Sequence, residues 1–124
     1  MDTVKKILLV EDDPLLVDVY TTKLKQVGFE VDVVEEGDRV MRAIREKNPD
    51  VVLLDIVLPQ VDGWEILRSI KTDEATKNVN VIILSNLGQK EEVEKGMNLG
   101  AAKYLIKAHY TPSEIVEELQ KIIL

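Results

Sequence analysis

The chain has 124 residues, which is enough for one compact domain and too short for a second module with its own core. Apolar residues make up 45% of the chain and charged residues 31%, a composition that excludes an intrinsically disordered protein. Its 23 acidic and 16 basic residues give a net charge of −7, so a nucleic-acid backbone would repel it. We therefore expect no direct nucleic-acid binding.

Neither cysteine nor a membrane signal is found in the sequence. The lack of cysteine excludes a disulfide framework, a thiolate zinc site and a cysteine nucleophile. The apolar run at 7–10 is too short for a signal peptide or a membrane span. We expect a cytoplasmic protein that does not insert into a membrane.

Two kinds of predicted element alternate along the chain. Apolar residues recur every three or four positions at Leu16, Tyr20 and Leu24, and again at Ile115 and Leu119, which is typical of helices. Runs rich in Val, Ile and Leu predict strands at 6–10, 30–34, 51–56, 80–84 and 103–106. With right-handed crossovers, five strand–helix units predict an α/β, doubly wound parallel sheet with helices on both faces.

Capping residues mark three of the helix starts. Asp13 precedes Pro14, which suits an N-cap followed by a first-turn proline. We interpret Asp13 as this cap rather than as a metal ligand. Capping-box spacing is found at residues 62 and 65, and again at 111 and 114.

Polar residues stand at the carboxyl ends of four of the predicted strands. In an open parallel sheet these ends meet at one edge, where ligands bind. We therefore expect a single site at this edge. Its candidate residues are Glu11, Asp12 and Asp13 in the first strand's loop, Asp55 in the third apolar run, Ser85 and Asn86 after the fourth strand, and Lys107 after the fifth.

Asp55 carries most of the chemical argument. A carboxylate between Leu54 and Ile56 loses solvation, and nearby acidic residues add like-charge repulsion. A hard divalent cation such as Mg²⁺, bound by carboxylates and phosphate oxygens, resolves this conflict. A carboxylate can also be the nucleophile that forms an aspartyl phosphate. Asp55, Ser85 and Lys107 then fit the roles of acceptor, hydroxyl donor and cation.

These residues lie in motifs that resemble the receiver domain of two-component response regulators, in particular its stand-alone chemotaxis type. The resemblance covers the whole chain and implies one receiver domain over 1–124, with flavodoxin-like strand order 2-1-3-4-5. Each motif is short, but together they place five functional positions in the expected order. The motifs are ILLVEDD at 7–13, LLDIVLP at 53–59, DG at 62–63, VIILS at 81–85, GA at 100–101 and YLIK at 104–107.

The resemblance implies a role for each site residue. Asp55 is implied to accept a phosphoryl group from a sensor histidine kinase or a phosphotransfer protein, with Ser85 and Lys107 contacting that group. Mg²⁺ is implied to be the cofactor. Its implied ligands are Glu11, Asp12, Asp55 and the main-chain carbonyl of Val57. Such a domain catalyses its own phosphorylation and dephosphorylation but is not a conventional multiple-turnover enzyme.

A switch is implied as well. Phosphorylation draws Ser85 inward and lets Tyr104 change rotamer, which remodels the face made by the fourth helix, fifth strand and fifth helix. A downstream effector would bind that face. The sequence leaves open whether the face also supports a phosphorylation-dependent homodimer, and whether Tyr104 simply packs in the core.

Two positions depart from the family pattern. The family usually has Lys-Pro with a cis bond at the end of the fifth strand, whereas Ala108 follows Lys107 here. Either the loop differs or the site holds a cis bond that costs about 2.5 to 4 kcal/mol, and we hypothesise that the bond is cis because Lys107 must point at the phosphoryl group. The positions that modulate hydrolysis in this family are Val57 and Leu87, whose apolar side chains predict slow autodephosphorylation.

Two other functions are compatible with parts of this sequence. One is a receiver-like interaction module that is never phosphorylated, which the complete set of acceptor, acid pair, hydroxyl and lysine argues against. The other is a phosphatase resembling the dehalogenase family, which would need a second Asp where Val57 stands. Among the remaining residues, we expect His109, Glu35 and Glu36 at the surface and Trp64 and Met97 in helix packing.

Overall fold

The structure, a computed structural model, describes residues 4–123. Its main sheet has five parallel strands in the order β2-β1-β3-β4-β5. The predicted α/β doubly wound sheet and its strand order are therefore confirmed. The strands are β1 (Lys6–Val10), β2 (Glu30–Val34), β3 (Val51–Leu54), β4 (Asn80–Ser85) and β5 (Lys103–Ile106).

Helices follow each of the five strands and cover both faces of the sheet. A 3₁₀ turn at Gly37–Arg39 precedes α2, and another at Lys107–His109 follows β5 directly. None of the helices within the described range is long and apolar enough to cross a membrane. The helices are α1 (Pro14–Gln26), α2 (Val40–Lys47), α3 (Gly63–Thr72), α4 (Lys90–Asn98) and α5 (Pro112–Ile123).

The core consists of two apolar layers, one on each face of the sheet. Ile7 and Leu9 of β1 point to the layer closed by α1 and α5, while Leu8 and Val10 point to the layer closed by α2 and α3. This alternation follows from the two-residue period of a strand. Because both faces are buried, β1 is apolar at every one of these positions, which is why its sequence shows no polar alternation.

The largest difference from the sequence prediction lies after β3. This strand ends at Leu54 rather than at residue 56, and a short antiparallel hairpin pairs Val57–Leu58 with Val61–Asp62. The Asp55 amide still donates to the carbonyl of Val10, but the Asp55 carboxylate then accepts the Val57 amide and turns the chain. This local hydrogen bond competes with strand extension.

Helix caps agree with most of the predicted signals. Asp13 accepts the Leu15 amide at 3.0 Å, which confirms it as the cap of α1. Thr111 and Glu114 form the predicted reciprocal capping box. Asp62 caps α3 through the Trp64 amide, but the capping box predicted there is wrong. The Glu65 carboxylate instead pairs with Arg68.

Candidate functional site

Three carboxylates meet at the carboxyl edge of the sheet. Glu11 directly follows β1 and Asp55 directly follows β3, two strands that are neighbours in the sheet. One ligand oxygen from each of Glu11, Asp12 and Asp55 lies within 4.8 Å of the others. Glu11 is 1% exposed and Asp55 5% exposed, while Asp12 faces solvent. The acidic cluster predicted from the sequence is therefore a real grouping in space.

Lys107, the residue directly after β5, completes this cluster. Its Nζ lies 2.6 Å from Glu11 Oε1 and 2.8 Å from Asp55 Oδ2, and its side chain is 11% exposed. One ammonium group thus bridges two buried carboxylates that are 96 and 52 residues away along the chain. Removing Lys107 would leave these two buried carboxylates without a counter-charge, which is strongly destabilising.

Burial and the ion pairs act in opposite directions on the titrating groups. Burial raises the pKa of Glu11 above 4.5, although contact with Lys107 opposes this shift. Burial by itself would lower the pKa of Lys107, but the hydrogen bonds from Asp55 and Glu11 outweigh it, and the pKa lies above 10.5. Lys107 therefore stays charged at neutral pH.

Backbone amides fix the remaining carboxylate oxygens. Glu11 Oε2 accepts the amides of Asp12 and Asp13 at 3.1 and 3.2 Å, and Asp55 Oδ1 accepts the amide of Val57 at 3.0 Å. When ionised, three carboxylates and one ammonium group leave two negative charges at the site. Oxygen donors with this residual charge fit a hard divalent cation such as Mg²⁺.

Ser85 and Tyr104 are joined through the backbone of one residue. Ser85 is fully buried at the end of β4, and its Oγ accepts the Leu87 amide at 3.3 Å. The Tyr104 hydroxyl donates to the Leu87 carbonyl. Burial, together with the charge of Glu92, raises the pKa of Tyr104, so the hydroxyl keeps the proton that it donates. The two predicted switch residues, Ser85 and Tyr104, are therefore both hydrogen-bonded to the backbone of Leu87.

The hypothesis of a cis bond after Lys107 is wrong. Within the described range every peptide bond is trans, so the Lys107–Ala108 bond is trans as well. Lys107 still reaches Asp55 because β5 passes directly into the 3₁₀ turn, which delivers the side chain without the cost of a cis non-proline bond. The loop after β5 therefore differs from the family pattern, which has a cis bond at this position.

The other residues singled out in the sequence lie around the site or away from it. His109, Glu35 and Glu36 are exposed, as expected. Trp64 packs against the core layer under α3, and the Lys95 ammonium of α4 lies 4.7 Å from its ring centroid. Met97 is 43% exposed, so its expected packing role is wrong.

Apart from the Val57 carbonyl, which the family resemblance implies as a Mg²⁺ ligand, sequence reasoning missed the hydrogen bonds that backbone groups make here. Backbone groups of Leu87 and Val57 are hydrogen-bonded to Ser85, Tyr104 and Asp55, yet every residue type except proline supplies both an N–H and a carbonyl. No residue-type signal marks such a contribution. The turn after β3 would have had to be known before Val57 could be placed.

A family model described as the response regulator receiver domain matches residues 7–120. The chain belongs to this family. As a receiver domain, it is a signalling domain of two-component systems. The DNA-binding response regulator MtrA of Mycolicibacterium smegmatis is 34% identical over 121 residues, which cover 97% of this chain and 51% of that protein.

Solved structures agree with this assignment. The phosphorylated cyanobacterial phytochrome response regulator RcpA is 30% identical with a TM-score of 0.82, covering 97% of this receiver domain and 91% of that chain. The Mn(2+)-bound form of response regulator Rcp1 is 28% identical with a TM-score of 0.80, covering 95% and 91%. This receiver domain spans about half the length of the curated relatives that it matches.

Proposed function

We propose that this receiver domain accepts a phosphoryl group on Asp55 from a sensor histidine kinase or a phosphotransfer protein. The carrying observation is the Lys107 ammonium held between two buried carboxylates, Glu11 and Asp55, beside the exposed Asp12. We also propose that residues 1–124 form one receiver domain, since the family match extends over 7–120.

Asp55, Lys107 and Ser85 each have a different role in phosphoryl transfer. An Asp55 oxygen forms the new P–O bond while the P–N bond of the donor phosphohistidine breaks. Lys107, already next to Asp55, offers a fixed point charge to the phosphoryl oxygens. The Ser85 hydroxyl, at the end of the adjacent strand, donates a hydrogen bond to the same group.

Glu11, Asp12 and Asp55 are the residues that would hold Mg²⁺, together with the carbonyl of Val57. Bound there, Mg²⁺ would supply positive charge against the oxygens of the transferring group. The donor chemistry of the three carboxylates and their residual negative charge support this assignment. Phosphorylated RcpA and Mn(2+)-bound Rcp1 are similar proteins whose states match it.

The output is a change in the face formed by α4, β5 and α5. If Ser85 turns toward the phosphoryl group, its hydrogen bond from the Leu87 amide is disturbed, and the Leu87 carbonyl carries that disturbance to Tyr104. Tyr104 lies on β5 beneath Gly96 of α4, so a change at its ring reaches the surface helix. A downstream effector would distinguish the two states of this face.

The first prediction tests acceptor and metal together. Incubation with acetyl phosphate and Mg²⁺ should add one phosphoryl mass, measured on the intact protein. The addition should disappear with EDTA and in Asp55→Asn. Asp50→Asn is the matched control, because Asp50 bonds the Lys6 amide at the opposite edge of the sheet and should be phosphorylated normally.

Two results would contradict the proposal. A phosphoryl mass on Asp55→Asn would place the acceptor elsewhere. No mass on the wild type, with acetyl phosphate or with candidate kinases, would favour the interaction module that is never phosphorylated.

A further inference from the structure

The first residue of α3 lies against the backbone of the residue that follows Asp55. A Cβ atom at Gly63 would come within 2.5 Å of Ile56 Cα and 2.7 Å of the Ile56 carbonyl carbon, and closer still to its carbonyl oxygen. Carbon atoms that are not bonded to each other do not approach this closely, and a Cβ practically never lies within 3.0 Å of another residue's atoms. Only glycine therefore lets α3 start where it does.

Gly63 differs in this respect from the chain's other glycines. A Cβ at Gly37, Gly88 or Gly96 would have only side-chain atoms as its three closest neighbours. Gly28 and Gly100 are needed for their positive φ angles of 97° and 108°, and a Cβ at Gly28 meets no atom within 4 Å. At Gly63 every one of the three closest atoms belongs to the backbone of Ile56.

The Ile56 peptide lies between two anchored groups of the site. On one side, the Asp55 amide donates to the Val10 carbonyl at 3.1 Å. On the other side, the Val57 amide donates to Asp55 Oδ1 at 3.0 Å. A shift of the Ile56 backbone would therefore turn the Asp55 carboxylate and move the peptide group of Val57.

The hairpin after Asp55 brings Gly63 back to this peptide. Val57 pairs with Asp62, so the residue after Asp62 falls beside the residue before Val57. Asp62 then caps α3 by accepting the Trp64 amide at 2.9 Å, which fixes the first helical turn in that place.

We propose that Gly63 is a positioning residue for phosphoryl transfer: its missing side chain lets the first turn of α3 hold the Ile56 peptide, and with it the Asp55 carboxylate and the Val57 carbonyl. This inference rests on the proposed function of Asp55. It assigns Gly63 no contact with the phosphoryl group or the metal.

The test compares Gly63→Ala with Gly28→Ala. Both replace glycine by alanine, but Gly28 lies between α1 and β2, at the opposite edge of the sheet, and loses stability only through its φ angle. Three quantities are measured: the Mg²⁺ dissociation constant by calorimetry with MgCl₂ alone, the rate of phosphorylation by acetyl phosphate at saturating Mg²⁺, and the chemical shift of the Val57 amide proton without metal. Circular dichroism confirms folding.

We expect Gly63→Ala to weaken Mg²⁺ binding and to slow phosphorylation, each by about tenfold or more, and to move the Val57 amide resonance. Gly28→Ala should match the wild type in all three. A folded Gly63→Ala protein with wild-type values would overturn the inference. So would equal losses in Gly28→Ala, because the effect would then follow from lower stability.

A second variant decides the matter if Gly63→Ala does not fold. Asp62→Ala removes the cap without adding a clash, so the first turn of α3 can move away from Ile56, and Mg²⁺ affinity should fall in the same direction but by less. Wild-type affinity in this variant would then overturn the inference. Failure of the wild type to be phosphorylated would instead count against the proposed function, while the Val57 resonance still tests Gly63.

Discussion

At the scale of single residues, burial favours the protonated form of Glu11, whereas the proposed metal site requires the ionised form. Its carboxylate is shielded from water, and burial raises its pKa above 4.5 in the folded protein. When folding raises the pKa of a carboxyl group, the protonated group contributes to the stability of the folded protein. This contribution is complete at pH values below the pKa of the unfolded state, and it is lost as the pH rises through the pKa of the folded state. Holding Glu11 ionised at neutral pH therefore costs stability.

The prediction concerns Glu11→Gln, whose side chain stays neutral at every pH. In EDTA, the melting temperature of the wild type relative to this variant should fall as the pH is raised from about 4 to about 8. Thermal denaturation at several pH values measures it. Parallel curves for the two proteins would show that Glu11 does not titrate as burial requires.

Val57 and Leu87 set a second expectation at this scale. The backbone amides of Val57 and Leu87 are hydrogen-bonded to Asp55 and Ser85, and Val57 is 56% exposed. Neither apolar side chain can orient an attacking water. We predict an aspartyl phosphate that persists for minutes and is lost faster in Val57→Asn. Release of a radiolabelled phosphoryl group measures this. Val33→Asn, at an exposed valine of β2, is the control, and wild-type loss within seconds would contradict the prediction.

At the scale of elements, the sequence was sufficient wherever one pattern dominated. Apolar runs located all five strands of the main sheet, and Asp13 with Pro14 located the start of α1. The hairpin at 57–62 was missed because LLDIVLP looks like one apolar run. What ends β3 is a hydrogen bond from Val57 to the Asp55 side chain, and such a local bond has no periodicity to detect.

At the candidate site, too, the sequence predicted some features and not others. Carboxylates, hydroxyl and lysine could be placed at one edge because strand ends converge there, and the structure brings Lys107 to both Glu11 and Asp55. Three other features depend on the path of the backbone: the trans bond after Lys107, the hydrogen bonds of Ser85 and Tyr104 to Leu87, and the contact of Gly63 with Ile56. Residue types do not report that path.

At the scale of the whole molecule, one sheet separates two apolar layers. Leu67 of α3 and Leu119 of α5 are both fully buried, but on opposite faces. We predict that Leu67→Ala and Leu119→Ala each lower the free energy of unfolding by about 2 to 5 kcal/mol. Both proteins should still unfold in a single transition, because the same strands contribute to both layers.

Urea denaturation followed by circular dichroism and by fluorescence measures this prediction. Coincident curves from the two signals are expected for both variants. If Leu119→Ala produced two separate transitions, α1 and α5 would form a unit whose folding does not depend on the opposite layer.

The contact between Trp64 and Lys95 provides an intrinsic fluorescence probe of the proposed switch. Trp64 is the chain's single tryptophan, and the ammonium above its ring belongs to α4, the helix that the proposed switch moves. Indole emission responds to a charge placed over the ring, so its wavelength and intensity would change if α4 carried Lys95 away from Trp64. Signalling by this domain could thus be recorded in real time, in solution, without attaching a dye.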